Sequence, residues 1–411
     1  MRRIVPGSVL LLALSLPGVA MAFNLEKLQV NGFISQGYMK SQNNNWLAVD
    51  SVDGTFQMTD AGLTFNMPIN DKLRIGLQLL SRDLGEEGNN DVRLDWAFGD
   101  YRVCDSFGIR AGKVKMPIGL YNEGRDSDFL RQMAFLPQSV YDETRRNLLV
   151  ASQGGQIYGN ISLGALGDAD YAAHYGQINF PDDSPTLDAF LGMANSTGMG
   201  PAGGWSGISA DNEYVYGASL KYNTFIDGLR LGGSVFEGKA DFPLVAAVPA
   251  DNGNMRVKLR QMYVGSLEYA TPWFTLASEY IQYKQPVWIN NVQVAPFGPS
   301  GVSAGMYGLL TVPVPGQENL SFSGLYDVYY TDKDDKRGNA QSAAVGGTMP
   351  TYSFYRKDIG VAARLDITDN WLIKAEWHRI NGTALMTDYY NNGAAVKGWE
   401  YYIVKTSFNF L

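Results

Sequence analysis

The sequence predicts an all-β fold: a transmembrane antiparallel up-and-down β-barrel of about 16 strands, with long extracellular loops and short periplasmic turns. Three observations predict it. Apolar and polar residues alternate with a period of two, the alternating segments are long enough to cross a bilayer, and the connections between them are alternately short and long.

The alternation is plain in Leu73–Arg82, where Leu73, Ile75, Leu77 and Leu79 interleave with Arg74, Gly76, Gln78 and Leu80. It recurs in Asp91–Tyr101, where Val92, Leu94, Trp96 and Phe98 form one face and Arg93, Asp95, Ala97 and Gly99 the other. In Asp358–Ile367, Ile359, Val361, Ala363, Leu365 and Ile367 oppose Asp358, Gly360, Ala362, Arg364 and Asp366. At the C-terminus Tyr402, Val404, Thr406, Phe408 and Phe410 oppose Lys405, Ser407 and Asn409. Such segments are strands with one apolar and one polar face. They run about 9–13 residues, whereas strands of soluble sheets cluster near about 5–6 and about 9–11 tilted residues span a bilayer. Mid-strand charges such as Arg93 and Asp95 suit a wet lumen, because an unpaired charge in a dry core costs several kcal/mol.

Taken in order, strands are expected near Leu28–Met39, Thr55–Met67, Leu73–Arg82, Asp91–Tyr101, Phe107–Lys115, Gly154–Gly164, Ala169–Asn179 and Glu213–Tyr222. The second half continues with Leu229–Gly238, Met255–Ala270, Trp273–Lys284, Ser303–Val312, Asn319–Tyr330, Ser353–Ile367, Trp371–Asn381 and Trp399–Phe410. Every second connection is short, as in Pro68–Lys72, Ala165–Asp168, Thr271–Pro272 and Thr368–Asn370, while Met116–Gln153, Phe180–Asn212, Gln285–Val302 and Thr331–Tyr352 are long. A sandwich with Greek-key crossings has no reason to alternate in this way. Tyr214, Tyr216, Tyr222, Tyr263, Tyr269, Tyr280, Tyr283, Tyr329, Tyr330, Trp399, Tyr401 and Tyr402 fall towards strand ends, where amphipathic rings would form an interfacial girdle.

The N-terminus reads as an export signal. Arg2 and Arg3 precede an apolar run from Val9 to Leu16, a Pro17–Gly18 break and the cleavage signal Ala20-Met21-Ala22. Residues 1–22 are therefore expected to be removed, leaving 23–411 as the barrel. The run is too short for a membrane helix, and nothing downstream is long and apolar enough for one. Cys104 is the single cysteine, which excludes an internally disulfide-stapled scaffold. The formal charge of −8 becomes about −10 without the two signal arginines. No basic stripe suggests nucleic acid as a partner.

The most informative local segment is Gly108–Glu123, GIRAGKVKMPIGLYNE. It resembles the Gly-Lys-x-Lys-x-Pro strand end of the phosphate-selective porin O/P type in the Gram-negative outer-membrane porin superfamily. The resemblance extends loosely over the mature chain, and it implies a water-filled diffusion pore in the outer membrane, assembled as a homotrimer. It also implies that the long connection near 116–153 folds inward to narrow the channel. Two departures stand out. The chain ends on Leu411 with Phe410 one residue early, whereas these porins finish on a Phe read by the barrel-assembly machinery; and the dense arginine ladder of phosphate-specific members is here only a scattered set.

On that reading, Glu123, Arg125, Asp126, Asp128, Arg131, Asp142, Glu143, Arg145 and Arg146 are the charges at the constriction. Strand parity adds Arg74, Arg82, Arg93, Asp95, Arg110, Lys258, Arg260 and Arg364 as the lumen wall, with Glu268, Asp366, Lys374 and Glu376 as further lumenal charge. Two arrangements are open: a transverse field between loop acids and wall arginines that orients solutes, or direct pairs that pin the loop to the wall.

Enzymatic function is not expected. The two histidines, His174 and His378, are isolated, and no Gly-x-Ser-x-Gly, His-Glu-x-x-His or Cys/His cluster is present. No metal, nucleotide or redox cofactor is implied. The expected partners are outer-membrane lipids, the barrel-assembly machinery and small hydrophilic solutes diffusing passively. A substrate-specific channel for sugars or organic anions, and a structural or adhesive barrel that does not conduct, are the alternatives.

Overall fold

A computed structural model describes residues 25–47, 49–85, 88–180, 184–294, 298–386, 391 and 395–410. The expected signal at 1–22 and the terminal Leu411 lie outside the described residues. Sixteen long strands account for the sheet: β1 (Gln29–Gln42), β2 (Thr59–Pro68), β3 (Leu73–Asp83), β4 (Val92–Cys104), β5 (Phe107–Lys115), β6 (Ala151–Ser162), β7 (Gly167–Gln177), β9 (Asp211–Thr224), β10 (Leu229–Val245), β11 (Gly253–Ala270), β12 (Thr275–Lys284), β15 (Ser303–Val314), β16 (Gln317–Tyr330), β17 (Tyr355–Thr368), β18 (Trp371–Asn381) and β19 (Gly398–Phe410). Three short strands, β8 (Gly207–Ile208), β13 (Val287–Ile289) and β14 (Val292–Val294), decorate the connections.

Neighbouring strands pair antiparallel, and the last strand returns to the first, running from Gly32 opposite Phe410 to Gln42 opposite Glu400. Closure leaves no edge, so every strand satisfies its backbone groups within the sheet, as a lipid-embedded backbone must. Turns at 69–72, 105–106, 163–166, 225–228, 271–274, 315–316 and 369–370 form one end. The other end carries 43–58, 84–91, 116–150, 178–210, 246–252, 285–302, 331–354 and 382–397. Helix α1 (Arg146–Leu149) closes the connection at 116–150, α2 (Pro185–Ser196) lies in 178–210, and α3 (Asn339–Ala344) in 331–354. Among the described residues no helix is long and apolar enough to cross a membrane.

The outward face is a continuous apolar band. Ile34, Ile75, Ile109, Ile157, Leu310 and Val404 are all substantially exposed on it. A row of exposed tyrosines, Tyr175, Tyr216, Tyr263, Tyr280, Tyr326 and Tyr402, rings the long-loop side. At the turn end stand Phe225 and Trp273, the latter 75% exposed. Such a surface is matched by hydrocarbon bounded by two interfaces, not by water. Four residues expected in this girdle are instead buried inside the barrel: Tyr283, Tyr329, Trp399 and Tyr401. They point inward and pack against the loops that enter the lumen.

Two β-bulges explain where simple parity fails. In β4, Leu94 lies opposite Leu79, but the next pair is Trp96 opposite Gln78, so Asp95 is an extra residue. Beyond it the alternation reverses, and Trp96, Phe98 and Asp100 share the inward face with Gln78, Gly76 and Arg74. The expected outward placement of Trp96 and Phe98 is therefore corrected. In β11 the register slips around Arg260–Gln261, with Gln261 at φ 52°. Val257 and Leu259 face inward above the slip, and Met262 and Val264 below it. Lys258 and Arg260 consequently lie on the outer side, with Lys258 Nζ 4.9 Å above the Trp288 ring. They are not lumen-wall charges. The apolar face of the upper β10–β11 hairpin is turned onto α2, whose Leu187 and Phe190 pack with Phe242, Met255 and Val257.

Val361 sits midway along β17 on the outward face, 49% exposed. Val361→Arg is expected to destabilise the barrel by about 2–4 kcal/mol, measured by denaturant titration in phospholipid vesicles.

Candidate functional site: the loop inside the barrel

A cylinder of 16 strands is too wide for its own wall side chains to fill, and residues 116–150 occupy the space. After β5 the chain turns inward through Met116-Pro117-Ile118-Gly119, with Met116 and Ile118 buried. Gly119 adopts φ 58°, and a Cβ there would lie 2.5 Å from the Tyr141 hydroxyl and 2.6 Å from Glu279 Oε1. Only glycine allows this close approach.

From there the loop reaches the wall in nearly every direction. Towards β10–β12, Gly119 N–H donates to Ser234 Oγ (3.0 Å), and Tyr121 OH donates to Glu268 (2.5 Å). Glu279 accepts from Leu120 N–H (2.9 Å), Tyr141 OH (2.5 Å), Tyr307 OH (2.7 Å) and Ser266 Oγ (2.5 Å). Towards β16–β18, Ser139 N–H donates to Asp327 (3.2 Å), Arg364 donates to the carbonyls of Phe129 (3.1 Å) and Arg131 (3.2 Å), and Glu376 accepts from Ala134 N–H. Lys374 donates to the carbonyls of Asp128 (2.8 Å) and Met133 (3.1 Å). The loop's Met133, Leu136, Val140 and Tyr141 pack with wall residues such as Phe236, Met262 and Tyr307.

The nine expected constriction charges are brought together here, mostly as direct pairs. Asp128 is paired with Arg131 (2.7 Å) and with Lys405 of β19 (2.8 Å), and accepts from Ser407 Oγ (2.7 Å). Glu143 is held between Arg125 (2.7 Å) and Arg82 of β3 (2.9 Å), and Arg82 and Lys405 both reach Asp60 of β2, at 2.9 and 2.8 Å. Arg146 bridges Asp126 (2.6 Å) and Asp95 (2.9 Å), and Lys115 also holds Asp126 (2.6 Å). Asp142 caps Thr144, Arg145 donates to Tyr283 OH (2.6 Å), and Glu123 reaches Lys221 at 3.2 Å. The pinning arrangement is thus realised. Of the wall set, Arg93 pairs with Asp91 at 3.4 Å near the rim. Arg74 and Arg110 converge on Asp100 at 2.7 and 3.4 Å, and Arg110 lies 4.1 Å over the Tyr158 ring. Asp60, Asp100, Glu279, Asp327 and Lys405 were not singled out from sequence. Each sits on the inward face of its strand, and for Lys405 that parity was already readable.

Three acids of the loop, Asp128, Glu143 and Asp126, are held ionised. Burial by itself raises the Asp128 carboxyl, but Arg131, Lys405 and Lys374 outweigh it and hold the group well below the usual carboxylate range. Burial likewise opposes ionisation of Glu143 and Asp126, and is overcome by Arg125 and Arg82 in the first case and by Lys115 and Arg146 in the second.

A polar cleft opens on the side of the loop facing β3–β6, lined by Arg82, Arg93, Asp95, Lys113, Arg146 and Gln153. Along this wall Asp100, the acid that Arg74 and Arg110 share, is the more deeply buried member of both pairs. The Arg74 side chain is 45% exposed against 3% for Asp100, and Arg110 is 20% exposed against the same acid.

Two outcomes follow. Glu143→Gln leaves two cations around a neutral group, Arg125 among them fully buried, and is expected to cost about 3–5 kcal/mol of loop docking. Limited proteolysis within 116–150 should rise sharply, and Glu143→Gln with Arg125→Met should restore most of the protection. For pH, carboxylates depressed in the folded state stabilise it fully above their unfolded value and lose that contribution as pH falls through the folded value. Proteolytic protection of the loop is therefore expected to be constant from pH 8 to 5 and to fall only below about pH 4.

No protein-family model matches the chain, and no curated protein matches it by sequence. Solved structures do resemble it over nearly its whole length. OmpF of Salmonella typhi is 13% identical, covers 93% of this chain and 97% of its own, and superposes with a TM-score of 0.53. The outer membrane channel DcaP of Acinetobacter baumannii is 11% identical with the same coverage and a TM-score of 0.52. OmpT of Vibrio cholerae in its trimer form, 11% identical, covers 93% of this chain and 99% of its own with a TM-score of 0.52. At these identities the likeness is one of fold: a closed transmembrane β-barrel.

Proposed function

We propose that this chain is a passive diffusion channel of the Gram-negative outer membrane, admitting small hydrophilic solutes past the loop at 116–150. The observation that carries the reading is a lipid-matched barrel whose interior keeps charged side chains at both faces of an inserted loop. A barrel serving only as a scaffold has no need of a charged inner wall, since each desolvated charge is costly.

The route runs beside the β3–β6 wall, where Arg93, Lys113, Arg110 and Arg74 succeed one another from the long-loop end to the turn end. Because Asp100, the acid that Arg74 and Arg110 share, is the buried member of both pairs, the field offered to a permeating ion is positive, and the channel prefers anions. The loop pairs act as anchors of the narrowing and not as a transverse field. A homotrimer is the assembly proposed, in keeping with the trimeric OmpT structure of similar fold. Lipids cover the apolar band, and insertion falls to the barrel-assembly machinery. No catalytic role is proposed.

Single-channel recording in planar bilayers across a KCl gradient tests this. Stepwise conductance with an anion-selective reversal potential is expected. Replacing Arg74, Arg93 and Arg110 together with Gln should move the reversal potential towards zero or beyond it. Folded, heat-modifiable protein that inserts but stays silent overturns the channel, in favour of a plugged structural barrel.

A further inference from the structure

The opposite side of the inserted loop, facing β9–β12, borders a space of different character. Met116, Ile118 and Leu148 from the loop, Phe180 and Phe190 from the connection 178–210, and Phe236 from the wall surround it. The cavity holds about 90 Å³ of accessible space, and like small-molecule sites it combines apolar walls with a few convergent polar groups.

Those polar groups lie in one corner. Arg145 donates to Tyr283 OH (2.6 Å), and Tyr283 and Tyr329 share a hydrogen bond of 2.6 Å between their hydroxyls. Asp142 Oδ1 is occupied by Thr144, accepting from its N–H (3.0 Å) and its hydroxyl (2.7 Å). Asp142 Oδ2 is buried and accepts no hydrogen bond, with Arg145 Nε standing 3.3 Å away as an ion-pair partner only. Asp142 as a whole is 5% exposed. A buried carboxylate oxygen without a donor costs free energy unless something fills the position. Burial raises the Asp142 carboxyl above its ordinary value, against the opposing pull of Arg145 and Thr144.

We propose that this cavity is a binding site for a small uncharged amphipathic solute, an aromatic or aliphatic body carrying one amide or hydroxyl head. The body lies against the phenylalanines, Met116 and Leu148. The head donates to Asp142 Oδ2 and accepts from the Arg145 guanidinium. A carboxylate head is opposed by Asp142 and an ammonium head by Arg145. A sugar, hydroxylated all round, loses hydrogen bonds to water against the apolar walls without replacing them. This deepens the channel reading by naming a solute class, although binding itself does not require conduction.

The test uses the full mature chain folded in detergent and ligand-observed saturation-transfer NMR, with empty micelles subtracted. The probes are benzamide, the isosteric benzoate and benzylammonium ions, and glucose. Benzamide is expected to bind, with at least tenfold weaker binding of the other three. Leu148→Arg, which fills the cavity, should weaken benzamide at least tenfold, Phe190→Ala and Asp142→Asn several-fold, and Arg74→Gln not at all. Heat-modifiability confirms that each variant is folded, and Leu148 and Phe190 belong to different loops, so one failed fold leaves the other variant decisive. Glucose binding as tightly as benzamide, or undiminished benzamide binding in the folded cavity variants, overturns the proposal. A chain that conducts but does not bind benzamide loses this site and keeps the channel. One that binds benzamide but never conducts keeps the site and loses the channel.

Discussion

Hydrocarbon offers the peptide group no hydrogen-bond partner, and the rest of this molecule depends on that constraint. It forces the sheet to close, β19 upon β1, and a sheet of sixteen long strands closes around more space than its wall side chains can fill. Something must then enter the lumen, and whatever enters brings its own backbone and charges out of bulk water. The loop at 116–150 meets that demand with an ionic lattice. Asp128, Glu143 and Asp126 each lie between two or more cations, and the cations come from the loop and the wall alike. The buried charges are tolerable only as a set, which makes the loop a fixed part of the cross-section.

The loop divides the interior unevenly. Against β3–β6 it leaves a cleft lined by arginines and a lysine, with Asp100 tucked behind Arg74 and Arg110. Against β9–β12 it packs with Phe236, Met262 and Ile281 and leaves an apolar space with one polar corner. The division arises where the bulges fall. One extra residue at Asp95 brings Asp100 inward beneath Arg74 and Arg110, while the slip at Gln261 aligns apolar residues above and below it on the inner wall of β11. Two local insertions thereby set the chemical character of opposite walls.

Much of the architecture was legible in the chain. All sixteen long strands and the alternation of turns and loops follow from period-two patterning, and Phe107–Lys115 and Trp371–Asn381 coincide with their expected bounds. The loop's charged residues were legible as a group because they crowd a single long connection. Their partners were less so. A bulge leaves no mark in a hydropathy pattern, so strand parity alone puts Trp96, Phe98, Lys258 and Arg260 on the wrong faces. Tyr283, Tyr329, Trp399 and Tyr401 look like interfacial aromatics until the loops that cover them are in place. Pairing across the lumen, such as Glu143 with Arg82 or Asp128 with Lys405, joins residues whose proximity only barrel closure creates.

That last pairing carries a consequence for the order in which the molecule is made. Asp128 is held by β19, the final strand, while its neighbour in the lattice, Asp60, belongs to β2. The loop's anchorage is therefore incomplete until the two ends of the chain have met. Before that moment residues 116–150 lack several of the cations that make their burial tolerable, and they have more reason to remain in water than to enter the cylinder. Lumen filling and seam formation are thus coupled events in biogenesis. A nascent barrel would stay hollow while it is still open, and acquire its obstruction only as it seals.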